Sequence, residues 1–250
     1  MEVSGKVALV TGGADGIGKA FIEELLKRNV KAVGFVDIQQ SKGEATLKQL
    51  SDLYGKDKVH FIQCDVTDKQ RLEEAFSDVS GRFGRLDIVC NNAGIANEED
   101  WQKMIEINLT AVTRGTFLAI KQMSKENGGR GGVIINTSSL AGVNAVPQVP
   151  VYAATKHGVV ALSRSLAANP KVTAENIRVN VLCPAFVNTV LARNLIKGLV
   201  GLPKHIEFLP LSLVAEAFMK LVEEDRTGQA MLITENGKIS VHEFEEVGLK

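Results

Sequence analysis

The chain has 250 residues, enough for one large domain with a sizeable core, and its 45% hydrophobic and 23% charged residues are those of an ordinary globular protein. Its 29 basic and 29 acidic residues cancel, so no net charge draws it to nucleic acid or to an anionic membrane surface. The N-terminus, MEVSGKVALV, has no basic region followed by a long apolar stretch, and no run approaches the length of a membrane span, so the expected compartment is the cytoplasm.

Short apolar runs alternate with longer segments of helical period. Val7–Val10 reads as a strand and is followed by a glycine-rich turn and a helix over Gly16–Arg28. Then come a strand at Ala32–Val36, a helix at Ser41–Leu53, a strand at Val59–Ile62, a helix at Lys69–Phe83 and a strand at Leu86–Cys90. A long helical pattern from Trp101 to Met123, interrupted at Asn108, leads through the glycine run 128–132 to a strand at Val133–Asn136. The last elements are a helix at Tyr152–Ala168, a strand at Val179–Cys183, a helix at Leu211–Glu224 and a strand at Ala230–Ile233. The strands are continuously apolar rather than alternating, which suits burial on both faces of a parallel sheet. The expected fold is α/β: a single-domain, Rossmann-like, doubly wound parallel sheet of about seven strands with helices on both faces. No linker divides the chain, so residues 1–250 read as one nucleotide-binding and catalytic domain. Residues 184–210 break the rhythm and read as a substrate-binding lid within it.

The first strand runs into Thr11-Gly12-Gly13-Ala14-Asp15-Gly16-Ile17-Gly18 and then directly into a helix. Gly12 permits the sharp turn, Gly16 lets the backbone approach a pyrophosphate, and Gly18 allows close packing of helix on strand. The helix N-terminus then offers free N–H groups to phosphates. The turn has the strand before it, the helix after it and a second strand ending in an acid, which is the context this motif requires. That acid, Asp37, lies 19 residues beyond Gly18 and can accept hydrogen bonds from the ribose hydroxyls of NAD. It would repel the 2′-phosphate of NADP by a few kcal/mol before screening. Asp15 adds a second negative charge, and Ile38, rather than a basic residue, follows Asp37. Three scattered cysteines (Cys64, Cys90, Cys183) read as buried structural thiols, and four histidines without ligand spacing leave no expectation of a metal site.

The spacing Thr11-Gly-x-x-x-Gly-Ile-Gly18 resembles that of the short-chain dehydrogenase/reductase family, and the resemblance extends from Lys6 to about Ile233. Asn91-Asn92-Ala93-Gly94 resembles the motif that borders the cofactor, and Cys64-Asp65-Val66 resembles the segment whose acid contacts adenine. Asn108, Ser139, Tyr152 and Lys156 align with the family's catalytic tetrad, and Pro184 with the start of its nicotinamide-side loop. The resemblance implies NAD as cofactor, held by Gly12, Asp15, Gly16, Ile17, Gly18, Asp37, Ile38, Cys64, Asp65, Val66, Asn92, Ala93, Gly94, Tyr152, Lys156, Pro184, Val187 and Thr189. Within the family the chain is most similar to the NAD-dependent 15-hydroxyprostaglandin dehydrogenase subgroup, on Phe61–Val66, Phe83–Ile88, Ser138–Gly142 and Phe186–Thr189. It departs at Val149, where the subgroup carries a substrate-contacting glutamine and where Gln148 is adjacent. It departs also at Ala185, which replaces a glycine, and in a shorter lid and tail.

Tyr152 and Lys156 stand at i and i+4 on one helix, so both emerge on the same face. A neighbouring ammonium, together with cationic nicotinamide, is expected to lower the Tyr152 pKa, and a shift from about 10 toward 7 needs roughly 4 kcal/mol. Tyr152 then takes the alcohol proton as general base while Ser139 holds the substrate oxygen. The resemblance further implies that Lys156 binds the nicotinamide ribose and that the Asn108 carbonyl holds a proton-relaying water. Ser139, Gln148, Val149, Tyr152 and Phe186 are the expected substrate contacts, and the apolar lid residues (Phe186, Val190, Leu191, Leu195, Ile196, Leu199, Val200, Leu202) imply a hydrophobic pocket. The function expected is oxidation of a hydrophobic secondary alcohol, such as a hydroxy-lipid, prostaglandin-like or terpenoid molecule, to a ketone. The alternatives are carbonyl reduction on the same scaffold and a non-catalytic NAD-binding protein. His157 and Trp101 read as packing residues, and the apolar residues Val159, Val160, Leu162 and Leu166 of the Tyr152 helix suggest a homodimer or homotetramer.

Overall fold

The computed structural model describes residues 1–198 and 206–245. The apolar runs form eight strands: β1 Val7–Thr11, β2 Ala32–Asp37, β3 Val59–Gln63, β4 Ile88–Asn91, β5 Gly132–Thr137, β6 Ile177–Pro184, β7 Ala230–Ile233 and β8 Ile239–Val241. They make one sheet in the order β3-β2-β1-β4-β5-β6-β7-β8, parallel except for β8. Between them lie α1 Gly16–Lys27, α2 Gln40–Tyr54, α3 Lys69–Phe83, α4 Trp101–Ile105, α5 Val112–Met123, α6 Pro150–Ala167, α7 Pro170–Thr173, α8 Val190–Gly198 and α9 Leu211–Glu223.

Successive residues of a strand point to opposite faces, so each apolar run feeds two cores. Ala8 and Val10 of β1 join a core with Phe21, Leu25 and Phe218, while Val7 and Leu9 join another with Leu72, Phe76 and Val79. In the first core Phe21 of α1 stacks on Phe218 of α9 with ring centroids 4.2 Å apart. In the second, α3 and α5 pack side by side. β1 pairs with both β2 and β4, so the winding direction reverses there, and a crevice opens beyond the C-terminal ends of these strands.

Four features differ from the sequence reading. An eighth strand joins the sheet edge, antiparallel to β7 through the turn at Thr234–Lys238; at three residues it is too short to read as an alternation. The helix expected over Trp101–Met123 is broken by a π-helical segment, Glu106–Ala111, centred on buried Asn108. α6 starts at Pro150, two residues before the expected Tyr152, because proline is well placed in a first turn whose N–H groups have no intrahelical partner. Within residues 184–210, α8 is regular, and Val187 bridges Leu209. Of the expected lid residues, Leu199, Val200 and Leu202 lie outside the described residues. Val159, Val160 and Leu166, expected to face a second subunit, are buried in the chain's own cores and so say nothing about one. Among the described residues, no helix is long and apolar enough to cross a membrane.

Candidate functional site

The glycine turn is built where β1 meets α1. Gly12 and Gly16 have φ of +65° and +56°, in the left-handed region, and a Cβ on Gly18 would lie 2.2 Å from the Gly12 carbonyl oxygen. The loop after β4 closes against this turn. Thr11 Oγ1 accepts from the backbone N–H groups of Asn92 (2.9 Å) and Ala93 (3.0 Å), and Asn92 Nδ2 donates to the Thr11 carbonyl at 3.1 Å. Asp37 ends β2 with both carboxylate oxygens engaged, accepting from Ala14 N (3.1 Å) and Gln39 N (2.9 Å). Its orientation is thereby set, and it is only 8% exposed.

Asp15 caps α1, accepting from Gly16 N at 2.7 Å, and pairs with Lys42 at 2.9 Å. The Lys42 hydrogen bond holds its carboxyl below the usual range. The second negative charge expected at this end of the site is therefore offset by a lysine that the sequence reading did not single out. Asp65 accepts at Oδ1 from Thr67 N (2.9 Å) and Thr67 Oγ1 (2.8 Å), and beside it burial pushes the Cys64 thiol up to about 11.

At the other end, Ser139 follows β5 and starts a short 3-10 turn, its Oγ accepting from Ala141 N at 3.2 Å and donating to the Pro184 carbonyl at 3.4 Å. The Ser139 hydroxyl stands beside that of Tyr152. Lys156 Nζ lies 5.6 Å from the Tyr152 ring centroid and donates to the Thr137 carbonyl at 3.0 Å. Burial pushes the Tyr152 hydroxyl up to about 12, against the Ser139 hydrogen bond that pulls it down. The lowered value expected for Tyr152 is thus not found in the cofactor-free protein. The reason is that desolvation of a tyrosinate at the cavity floor outweighs the local hydrogen bond. Burial also brings Lys156 down to about 8.

These groups converge on one cavity of ≈ 780 Å³. Its wall includes Gly12, Asp15, Gly16, Ile17, Asp37, Ile38, Cys64, Asp65, Val66, Asn92, Ala93 and Gly94 together with Ser139, Val149, Tyr152, Lys156, Pro184, Phe186, Val187 and Thr189. Three residues from the sequence reading are not on its wall. Gly18 is packed beneath Gly12, and Asn108 is fully buried with its side chain bonded to Ile95 and Thr155. Gln148 is exposed at the turn before α6, and Val146 and Val149 line the wall there. Of the lid residues, Phe186, Val190, Leu191 and Leu195 line the cavity and Ile196 does not. His157 and Trp101 are exposed and off the wall. Among the described residues, no three His, Cys, Asp or Glu side chains gather as metal ligands would.

The sequence reading missed several features. Lys42, Ile95, Lys103, Leu140 and Glu235 also line the cavity. A buried polar network joins Asn91, Asn136, Thr116 and Ser163, with Asn91 Nδ2 donating to Asn136 Oδ1 at 2.8 Å and Asn136 Nδ2 to Ser163 Oγ at 3.0 Å. The polar residues Asn91 and Asn136 at the ends of otherwise apolar runs were the available signal.

Comparison with known proteins matches residues 6–199 to the short chain dehydrogenase family. Human 15-hydroxyprostaglandin dehydrogenase (NAD(+)) is 42% identical over 258 aligned positions, covering 98% of this chain and 97% of that protein. A 3-oxoacyl-(acyl-carrier-protein) reductase of Thermotoga maritima is 33% identical, covering 78% of this chain and 79% of its own. The crystal structure of levodione reductase superposes with a TM-score of 0.83 at 26% identity, covering 93% of this chain and 97% of that one.

Proposed function

The chain belongs to the short-chain dehydrogenase family, and from that premise we propose that it is an NAD-dependent oxidoreductase that converts a hydrophobic secondary alcohol to a ketone, with Tyr152 as general base. One observation carries the reading. Ser139, Tyr152 and Lys156 line the same cavity as the glycine turn and Asp37. A dinucleotide fits the donor set, with the N-terminus of α1 for its phosphates and the fixed Asp37 carboxylate for ribose hydroxyls. Residues 1–250 act as one domain in this reading, with 184–210 as the lid over the substrate. We take the protein to work in the cytoplasm as a homodimer or homotetramer, which sedimentation equilibrium distinguishes from a monomer.

When bound, the nicotinamide accepts the hydride and brings a positive charge to the site. The protein's own part is the proton. Ser139 Oγ and Tyr152 Oη together hold the alcohol oxygen, and Tyr152 takes its proton. Bringing the tyrosine from about 12 to near neutrality requires roughly 7 kcal/mol. The Lys156 ammonium, with its Nζ 5.6 Å from the Tyr152 ring centroid, would supply part of this, and the bound cationic cofactor would supply the remainder. Lys156 also holds the nicotinamide ribose, and Asn108 shapes the π-helical wall behind it. NADH formation from a panel of secondary alcohols tests the reading, and carbonyl reduction on the same site is the reverse of the same step.

Asp37 should set the cofactor preference without help from Asp15, whose charge Lys42 offsets. NAD is expected to exceed NADP by roughly a hundredfold in kcat/KM, about 2.7 kcal/mol. Joint replacement Asp37→Ser and Ile38→Arg should narrow or reverse that ratio. Equal use of both cofactors by the unmodified protein would show that Asp37 is not the ribose acid.

The substrate end is apolar, walled by Ile107, Leu140, Val146, Val149, Phe186, Val190, Leu191 and Leu195. In a series of 2-alkanols, kcat/KM should therefore climb with length by up to about 0.8 kcal/mol, or roughly fourfold, per methylene until the pocket ends. Rates that stay flat or fall from the shortest alcohol upward would contradict the hydrophobic pocket. A 15-hydroxyprostaglandin run alongside reports whether Val149 still admits that substrate.

A further inference from the structure

α6 begins without a cap of its own. Its N-cap, Val149, has no side-chain acceptor, and Pro150 at the start of the helix has no N–H to satisfy. The next two donors, the backbone N–H groups of Val151 and Tyr152, are taken by a residue more than fifty positions away. Glu98 Oε2 accepts from Val151 N at 3.1 Å and Oε1 from Tyr152 N at 2.8 Å. A carboxylate forked over the first turn is also favoured by the helix dipole.

Glu98 sits in the loop between β4 and α4, whose Gly94, Ile95 and Ala96 form cavity wall. The same loop is pinned at Ile95 by Asn108, which accepts from Ile95 N at 2.9 Å and donates to its carbonyl at 2.8 Å. Asn108 Nδ2 reaches Thr155 Oγ1 on α6 at 3.4 Å as well. The loop is therefore stitched to α6 at two points, and the shorter Glu98 bond falls on Tyr152 itself.

We propose that Glu98 is the positioning residue of Tyr152: by capping α6 from the β4–α4 loop, its carboxylate fixes where the Tyr152 hydroxyl stands against Ser139 and the cavity wall. The proposal rests on Tyr152 acting as the base. A side chain in this position does not touch the reacting atoms, so its loss should misplace the base rather than remove it.

The test uses E98A, E98Q, Y152F and the double variant E98A/Y152F, with NAD and the fastest 2-alkanol of the series above, protiated or deuterated at the carbinol carbon. For E98A, kcat should fall about tenfold, with alcohol KM within about twofold and a larger primary isotope effect on kcat. Loss of folded protein alone would lower apparent kcat but leave the isotope effect unchanged. E98Q keeps one carbonyl acceptor and should recover much of the loss; should E98A not fold, E98Q is read in the same way, with a smaller drop and a raised isotope effect. In single-turnover NADH formation, adding E98A to Y152F should cost little more, because Glu98 acts through Tyr152. Parental kcat and isotope effect in the Glu98 variants, or full multiplication of the two losses in the double variant, would overturn the proposal. Parental turnover in Y152F alone would instead overturn the assignment of the base.

Discussion

Replacing Tyr152 with phenylalanine is expected to slow hydride transfer by about a thousandfold while leaving NAD affinity within a few-fold of the parent. The substitution deletes one hydroxyl at the cavity floor and keeps the ring that packs there. What is lost is the hydroxyl beside Ser139 that is proposed to receive the alcohol proton. Single-turnover NADH formation measures the first effect and equilibrium NAD binding the second. Appreciable turnover in the variant would remove Tyr152 from its role, and a large loss of NAD affinity would show that its hydroxyl serves mainly to bind cofactor.

Lys156→Met should behave differently, weakening both chemistry and cofactor binding. Its ammonium is buried, bonded to the Thr137 carbonyl, and the nearest cation to the Tyr152 ring. Loss of this cation beside the proposed base should cost kcat/KM on the order of a hundredfold, with a further loss in NAD affinity from the proposed ribose contact. The same substitution carries a stability signature. Burial lowers the folded-state pKa of Lys156 from 10.5 to about 8, so the unfolded chain holds this proton over that interval and the folded chain does not. Stability of the cofactor-free protein should therefore rise with pH between about 8 and 10.5. It should then be opposed above about 10, where Tyr152, with its raised folded-state pKa, begins to contribute in the other direction. Urea unfolding at pH 7 and 9.5 should show the parent gaining about 2 kcal/mol more than Lys156→Met. Equal pH dependence in the two proteins would show that Lys156 is not destabilised by its burial.

The parts of the molecule that were readable in advance are those encoded by local pattern. Thr11–Gly18 combines a strand end, glycines at fixed offsets and a helix start, and Tyr152 with Lys156 is an i, i+4 pair. β1, β2 and β4 are buried along their whole length, so they leave no alternation to misread. What escaped depends on long-range or sub-helical geometry. β8 is three residues long and gains its identity only by pairing with β7. The π-helical segment at Glu106–Ala111 shifts the helical period by a fraction of a turn; the interruption at Asn108 marks its place in sequence but not its hydrogen-bond pattern. Gln148 is next to Val149, where the resembled subgroup carries a substrate-contacting glutamine, and the turn at Val146–Val149 leaves it exposed, which adjacency in sequence does not show. Glu98 has no signature near α6, since capping in trans needs the loop after β4 to be folded onto that helix. The raised Tyr152 pKa of the cofactor-free protein has no sequence signature, because a charge partner is visible in sequence and desolvation is not.

The most direct measurement of the central claim is NADH absorbance during incubation of the purified protein with NAD and medium to long 2-alkanols, with Tyr152→Phe run in parallel. The proposed chemistry predicts steady NADH formation that grows with alcohol length and nearly vanishes in the variant. Stoichiometric NAD binding with no NADH from any alcohol, and no NADH consumption with the corresponding ketones, would contradict it and leave a dinucleotide-binding protein without this catalysis.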